Sequence, residues 1–84
     1  MELHREFRDI PLWVAQDYIR DLPDAVEVDG GFSGPDWRIE LQELPEVPVG
    51  ALRFRRTSFR LSGAEEVVTR VWESLEHKFY RGGA

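Results

Sequence analysis

Residues 37–44 read WRIELQEL, and within them Trp37, Ile39 and Leu41 alternate with Arg38, Glu40 and Gln42. A period of two is the repeat of side chains on a pleated strand, so the segment has one apolar face and one wet face. Such a strand requires hydrogen-bonded neighbours and a layer of side chains over one face. The rest of the chain must supply both.

Further strands are legible on either side. LHREFRDI at 3–10 places Leu3 and Phe7 on one side of an extended segment, and AVEVD at 25–29 is a short strand. DGGFSGPD at 29–36 is read as the turn that opens the strand at Trp37, with Phe32 exposed at its glycine-rich tip. Pro45, Pro48 and Gly50 make LPEVPVG a connection. In ALRFRRTSFRL at 51–61, Leu52 and Phe54 share one parity while Thr57, Phe59 and Leu61 share the other. A bulge near Arg55 and Arg56 would re-phase the strand, because a domain this small lacks the matter to cover two sheet faces.

Two segments have helical spacing. In PLWVAQDYIRDL, Pro11 suits a first helical position, Leu12, Ala15, Ile19 and Leu22 recur on one side, and Pro23 stops the helix near Leu22. Later, Ser62-Gly63-Ala64-Glu65 matches a capping box. Behind it Val67 or Val68, Val71, Leu75 and Phe79 form a stripe, with Glu65 and Glu66 at the positive end of the helix and His77, Lys78 and Arg81 at the negative end. The terminal Arg81-Gly82-Gly83-Ala84 is read as a left-handed helix stop rather than the activated tail of a ubiquitin-like sulfur carrier, which would first require removal of Ala84. The expected fold is one α+β domain over 1–84. Its order is strand-helix-strand-strand-strand-helix, a two-layer sandwich with both helices on one face of an antiparallel sheet.

Composition narrows the function. With 84 residues the chain buries only about 60–65% of its unfolded surface. No cysteine is present, which removes disulfides, thiolate nucleophiles and zinc sites of the cysteine type. A net charge of -5 argues against general nucleic-acid binding. No apolar run approaches the roughly 20 residues that span a bilayer, so no membrane association is expected and the cytoplasm is the expected compartment. Arginine supplies all the positive charge except Lys78, and asparagine is absent, a bias that suits a thermophilic or GC-rich source.

The candidate chemistry is sparse. RFRRTSFR at 53–60 sets Arg53, Arg55, Arg56 and Arg60 on a strand with two phenylalanines, which would hold a phosphate or carboxylate and stack a ring. The competing account is a solvated strand face, with Glu40 and Gln42 falling near Arg53 and Arg55 across a hairpin. DGGFSGPD opens a strand, whereas phosphate loops open a helix. His4 and His77 have no partner at metal-site spacing, so no metal, cofactor or catalytic residue is nominated. Trp13, Tyr18, Trp72 and Tyr80 lie off or at the edge of the helix stripes, and such rings predict a homo-oligomer.

AQDYIRDLP, GPDWRIEL, VGALRFRRTSFRLSG and HKFYRGGA together resemble a known family. It is the small domain at the C-terminus of some MoaD-related molybdopterin-synthesis proteins of thermophilic bacteria and haloarchaea, which also occurs alone. Tyr18, Gly34, Trp37, Gly50, Gly63, Lys78, Arg81, Gly82 and Gly83 carry the likeness. The resemblance implies a non-catalytic accessory domain of unassigned biochemical role, linked to molybdenum cofactor synthesis through the fusion of relatives to a β-grasp sulfur carrier that is expected to be missing here. Its partner would be a protein or an anionic pterin intermediate, with Arg53, Arg55, Arg56, Arg81 and Trp37 as the binding residues. Two alternatives stand beside it: a homo-oligomeric interaction module or small-ligand-binding protein unrelated to that pathway, and a small enzyme with its site at the helix-sheet edge.

Overall fold

The computed structural model describes residues 1–80, and at positions 47, 49 and 54 the backbone without the side chain. The elements are β1 (Glu2–Arg8), α1 (Leu12–Arg20), β2 (Val26–Val28), β3 (Gly31–Gly34), β4 (Trp37–Val49), β5 (Leu52–Gly63) and α2 (Glu65–Tyr80). The strands form one antiparallel sheet in the order β1-β5-β4-β3-β2. The expected α+β sandwich is therefore the observed fold, with one strand more than the sequence showed.

The register explains why the helices share one face. Phe7 stands opposite Thr57, Leu61 opposite Ile39, and Ile39 opposite Phe32, so these side chains fall on one side of four strands. Ala15 and Ile19 of α1 and Val68, Val71, Leu75 and Phe79 of α2 are buried against that side. Phe32 and Phe59 are almost wholly enclosed, and each such side chain contributes about 1.5–3 kcal/mol by burial. The β1 edge of the core is aromatic. Phe7 stacks on Phe79 at 4.2 Å, and Phe59 meets Phe7 edge-on at 5.9 Å.

Phe32 is a correction, since it is a core residue of β3 and not the exposed tip of a turn. Glycine misled the reading there. Gly31 lies so close to the backbone of Ile39 that a Cβ would overlap its carbonyl, and glycine lets a strand make that approach. A second correction concerns LPEVPVG, whose residues 44–49 are the second half of β4, so that the chain reverses only at Gly50-Ala51. Past Leu41 the sole strand paired with β4 among the described residues is β5, and an edge strand tolerates prolines that a central strand would not. The irregularity expected near Arg55 and Arg56 lies opposite them. Leu44 pairs with Arg56 and Val47 with Phe54, so the inserted residue belongs to β4 and β5 keeps one phase throughout.

The helix starts show how position can be right and mechanism wrong. α2 begins at Glu65, but Ser62 is still paired in the sheet with Glu2 and Arg38, so no capping box forms. The strand claims the serine first. Gly63 ends β5 at φ +148°, and a Cβ there would overlap the carbonyl oxygen of Asp36. In α1, Pro11 is the N-cap, and its carbonyl accepts from the backbone N–H groups of Val14 and Ala15 at 3.0 and 3.2 Å.

The outcome is a compact body with a projecting arm. β1 covers β5 only as far as Arg56 and β3 covers β4 only as far as Glu40, which leaves residues 45–55 as a two-stranded ribbon. The radius of gyration is 13.1 Å, against about 12 Å for a compact chain of this length.

Candidate functional site

The sheet face opposite the helices is uncovered. Arg56, Ser58, Arg60 and Ser62 of β5 run down it between Glu2, His4, Glu6 and Arg8 of β1 and Arg38, Glu40, Gln42 and Leu44 of β4. Its charges answer one another across strands. Arg60 reaches Glu2 at 3.2 Å and Glu40 at 4.0 Å, and Arg56 donates to Glu6 at 2.9 Å and to the carbonyl of Pro45 at 3.4 Å. His4 Nε2 and Ser58 Oγ are 3.0 Å apart. Exposed pairs of this kind contribute about 0–1 kcal/mol each.

This register corrects one sequence expectation, since Glu40 faces Arg60 and Gln42 faces Ser58, not Arg53 and Arg55. A turn at Gly50-Ala51, later than expected, shifts every pairing. The four arginines consequently divide between faces. Arg56 and Arg60 lie on the open face and are engaged by carboxylates, whereas Arg53 and Arg55 have the parity of Thr57 and sit on the arm beyond the helices. Arg53 is highly exposed, 3.7 Å from Glu46. Arg55 is exposed and has no ion pair among the described residues, while its backbone carbonyl accepts from Asp9 N–H at 2.8 Å. Trp37 is buried opposite Gly63, at the far end of β5 from the arm. Ten residues separate Gly63 from Arg53, roughly 33 Å of strand, so Trp37 and the arm arginines do not share one site. Arg81, Gly82 and Gly83 lie outside the described residues.

Two features were not legible in the sequence. The first is a cleft of about 590 Å³ where the end of β1, α1 and the last turn of α2 meet, lined by Arg8, Asp9, Val14, Tyr18, Lys78 and Tyr80 among others. Buried Thr57 donates its hydroxyl to the Ile10 carbonyl at 2.7 Å and so ties down the β1–α1 loop beside it. Lys78 donates to the Tyr18 carbonyl at 3.3 Å and to Asp21 at 3.1 Å, joining the helices. The second is Arg20, which holds Asp17 at 2.7 Å and Glu27 at 2.8 Å and lies over the Phe32 ring at 5.9 Å. Glu27 raises the Arg20 guanidinium above its usual range by hydrogen bonding. That group is cationic at any working pH, so the contact docks β2 against α1 and does not act as a switch.

Among the described residues no cluster of three His, Cys, Asp or Glu side chains is placed to hold a metal, and no buried side-chain polar atom lacks a partner. No helix among them is long and apolar enough to cross a membrane. Sheet, open face and arm together define a small α+β module presenting charged surface on a rigid antiparallel scaffold. More particularly, the chain belongs to the archaeal MoaD-like protein family, whose model matches residues 3–84. No curated protein matches it.

Proposed function

We propose that the chain is a non-catalytic accessory module of molybdopterin biosynthesis, working in the cytoplasm, whose projecting arm binds an anionic partner through Arg53 and Arg55. The observation that carries this reading is the arm itself. It extends beyond β1 and β3, and at its base the exposed Arg55 guanidinium is engaged by no carboxylate among the described residues. A guanidinium free of an internal partner is available for bidentate contact with carboxylate or phosphate. Membership of a MoaD-like family supports the pathway. Arg56 supports the arm by holding the Pro45 carbonyl at the bulge, and Trp37 supports the scaffold from the core. Arg81 extends the basic set at the sequence level, outside the described residues.

The test is titration calorimetry of the full chain with a purified sulfur-carrier protein and, separately, with a phosphorylated pterin. Saturable binding of one of them, weakened at least tenfold in Arg53→Ala/Arg55→Ala with the fold intact by circular dichroism, is the expected result. Full affinity in that variant would refute the arm as the binding element.

A further inference from the structure

The outer edge of the sheet has a pattern that neither the family nor the arm accounts for. β1 is an edge strand, paired on one side with β5. Met1 and Gly63 exchange both backbone hydrogen bonds, at 2.9 and 3.1 Å, and Asp9 N–H reaches the Arg55 carbonyl. Antiparallel ladders alternate, so the odd residues of β1 bond to β5 and the N–H and C=O groups of Glu2, His4, Glu6 and Arg8 point outward from the sheet. The side chain of Arg5 donates to the His4 carbonyl at 2.9 Å, as an outward-pointing acceptor allows.

We propose that β1 pairs antiparallel with β1 of a second copy of this chain about a twofold axis at Arg5, joining two five-stranded sheets into one. Register selects the pairing. Of the self-pairings that keep the outward-bonding even residues together, three overlap five or more residues of β1, centred on His4, Arg5 or Glu6. Centring on His4 sets Glu2 against Glu6, and centring on Glu6 sets Glu6 against itself and His4 against Arg8. Centring on Arg5 sets Glu2 against Arg8 and His4 against Glu6 on the open face, and Leu3 against Phe7 on the helix face. Only this last register is complementary at each of those positions, and like charges directly opposite oppose pairing.

Edge strands that resist addition carry lysines, prolines or bulges. β1 has none of these and no register shift against β5. Its charges instead alternate in the order that matches an inverted copy of itself, which is what an isologous interface requires. Arg5 is the single opposing element. It meets itself on the axis and occupies the His4 carbonyl, while its guanidinium stacks over Trp72 at 5.5 Å. The dimer is thus self-complementary but restrained, and Arg5→Ala tightens it. This inference is independent of the proposed pathway and of the arm, which lies beyond the far end of β1.

Sedimentation equilibrium of the full chain tests it. The wild type is expected to show a monomer–dimer equilibrium, and Arg8→Glu to weaken it at least tenfold by facing Glu2 twice across the axis. Inside one chain Arg8 stands opposite Arg56, so that substitution leaves the monomer sound. Glu2→Arg/Arg8→Glu restores the opposite charges and should recover dimerisation. The absence of native cysteine makes the register directly readable. Arg5→Cys places one thiol on each side of the axis, and mild oxidation should give a disulfide-linked dimer, whereas Glu66→Cys at the start of α2 should stay monomeric. A wild type that remains monomeric at high concentration, association unchanged by Arg8→Glu, or no more crosslinking in Arg5→Cys than in Glu66→Cys would overturn the proposal.

Discussion

Thr57→Val tests how the β1–α1 loop is held. Thr57 is fully buried in the middle of β5, and its hydroxyl donates at 2.7 Å to the carbonyl of Ile10, the residue before the α1 N-cap Pro11. Valine has nearly the same shape and a high strand preference, so the substitution opens no cavity and costs nothing in local conformation. It removes one hydrogen bond and leaves the Ile10 carbonyl without that donor. The bond is part-buried, so its loss falls in the lower half of the about 1–3 kcal/mol that an unpaired buried acceptor costs. Domains of 60–100 residues lose about 4–8 °C in Tm per kcal/mol, so a cost of about 1.5 kcal/mol lowers Tm by roughly 6–12 °C. Urea unfolding followed by tryptophan fluorescence should show a lower midpoint with an unchanged slope, because the folded state stays equally compact. Thr57→Ser keeps the donor and loses a methyl, which costs about 1 kcal/mol through packing alone. The two variants therefore separate hydrogen bonding from packing. If Thr57→Val were as stable as the wild type, the hydroxyl would not be what anchors the loop.

Two other outcomes follow from particular residues. Gly63→Ala should cost on the order of 3 kcal/mol or more, from positive φ together with overlap against Asp36. Gly50→Ala, at φ +63° with no atom within 4 Å of the added Cβ, should cost only about 1–2 kcal/mol, and equal urea midpoints for the two would show that the contact at Asp36 is irrelevant. Intact mass spectrometry of the native protein should find Ala84 retained. Loss of Ala84 with a thiocarboxylate on Gly83 would make the tail a sulfur carrier and overturn its reading as a helix stop.

The elements legible from the residues alone are those whose signal is carried by chain neighbours. Trp37, Ile39 and Leu41 fixed a half-buried strand because alternation is a property of the strand alone. Val68, Val71, Leu75 and Phe79 fixed the buried side of α2 for an equally local reason, while α1 ends at Arg20, two residues before the Leu22 that Pro23 suggested. The layer arrangement followed, since two one-sided helices and a one-sided sheet have few ways to bury their apolar faces. The family was also legible, and its model matches residues 3–84.

Whatever depends on register emerged only once the strands were paired. Gly31 and Phe32 read as a turn until Ile39 was beside them, and Pro45 and Pro48 read as a break because nothing local says that β4 has become an edge strand. The arginines read as a row, yet a single inserted residue in β4 and a turn at Gly50-Ala51 paired Arg56 and Arg60 with Glu6, Glu2 and Glu40 and left Arg53 and Arg55 on the arm. The physical reason is the same in each case. A strand's sequence fixes which residues share a face, but the partner strand fixes which backbone groups are free and which charges meet, and that choice is made by contacts tens of residues apart.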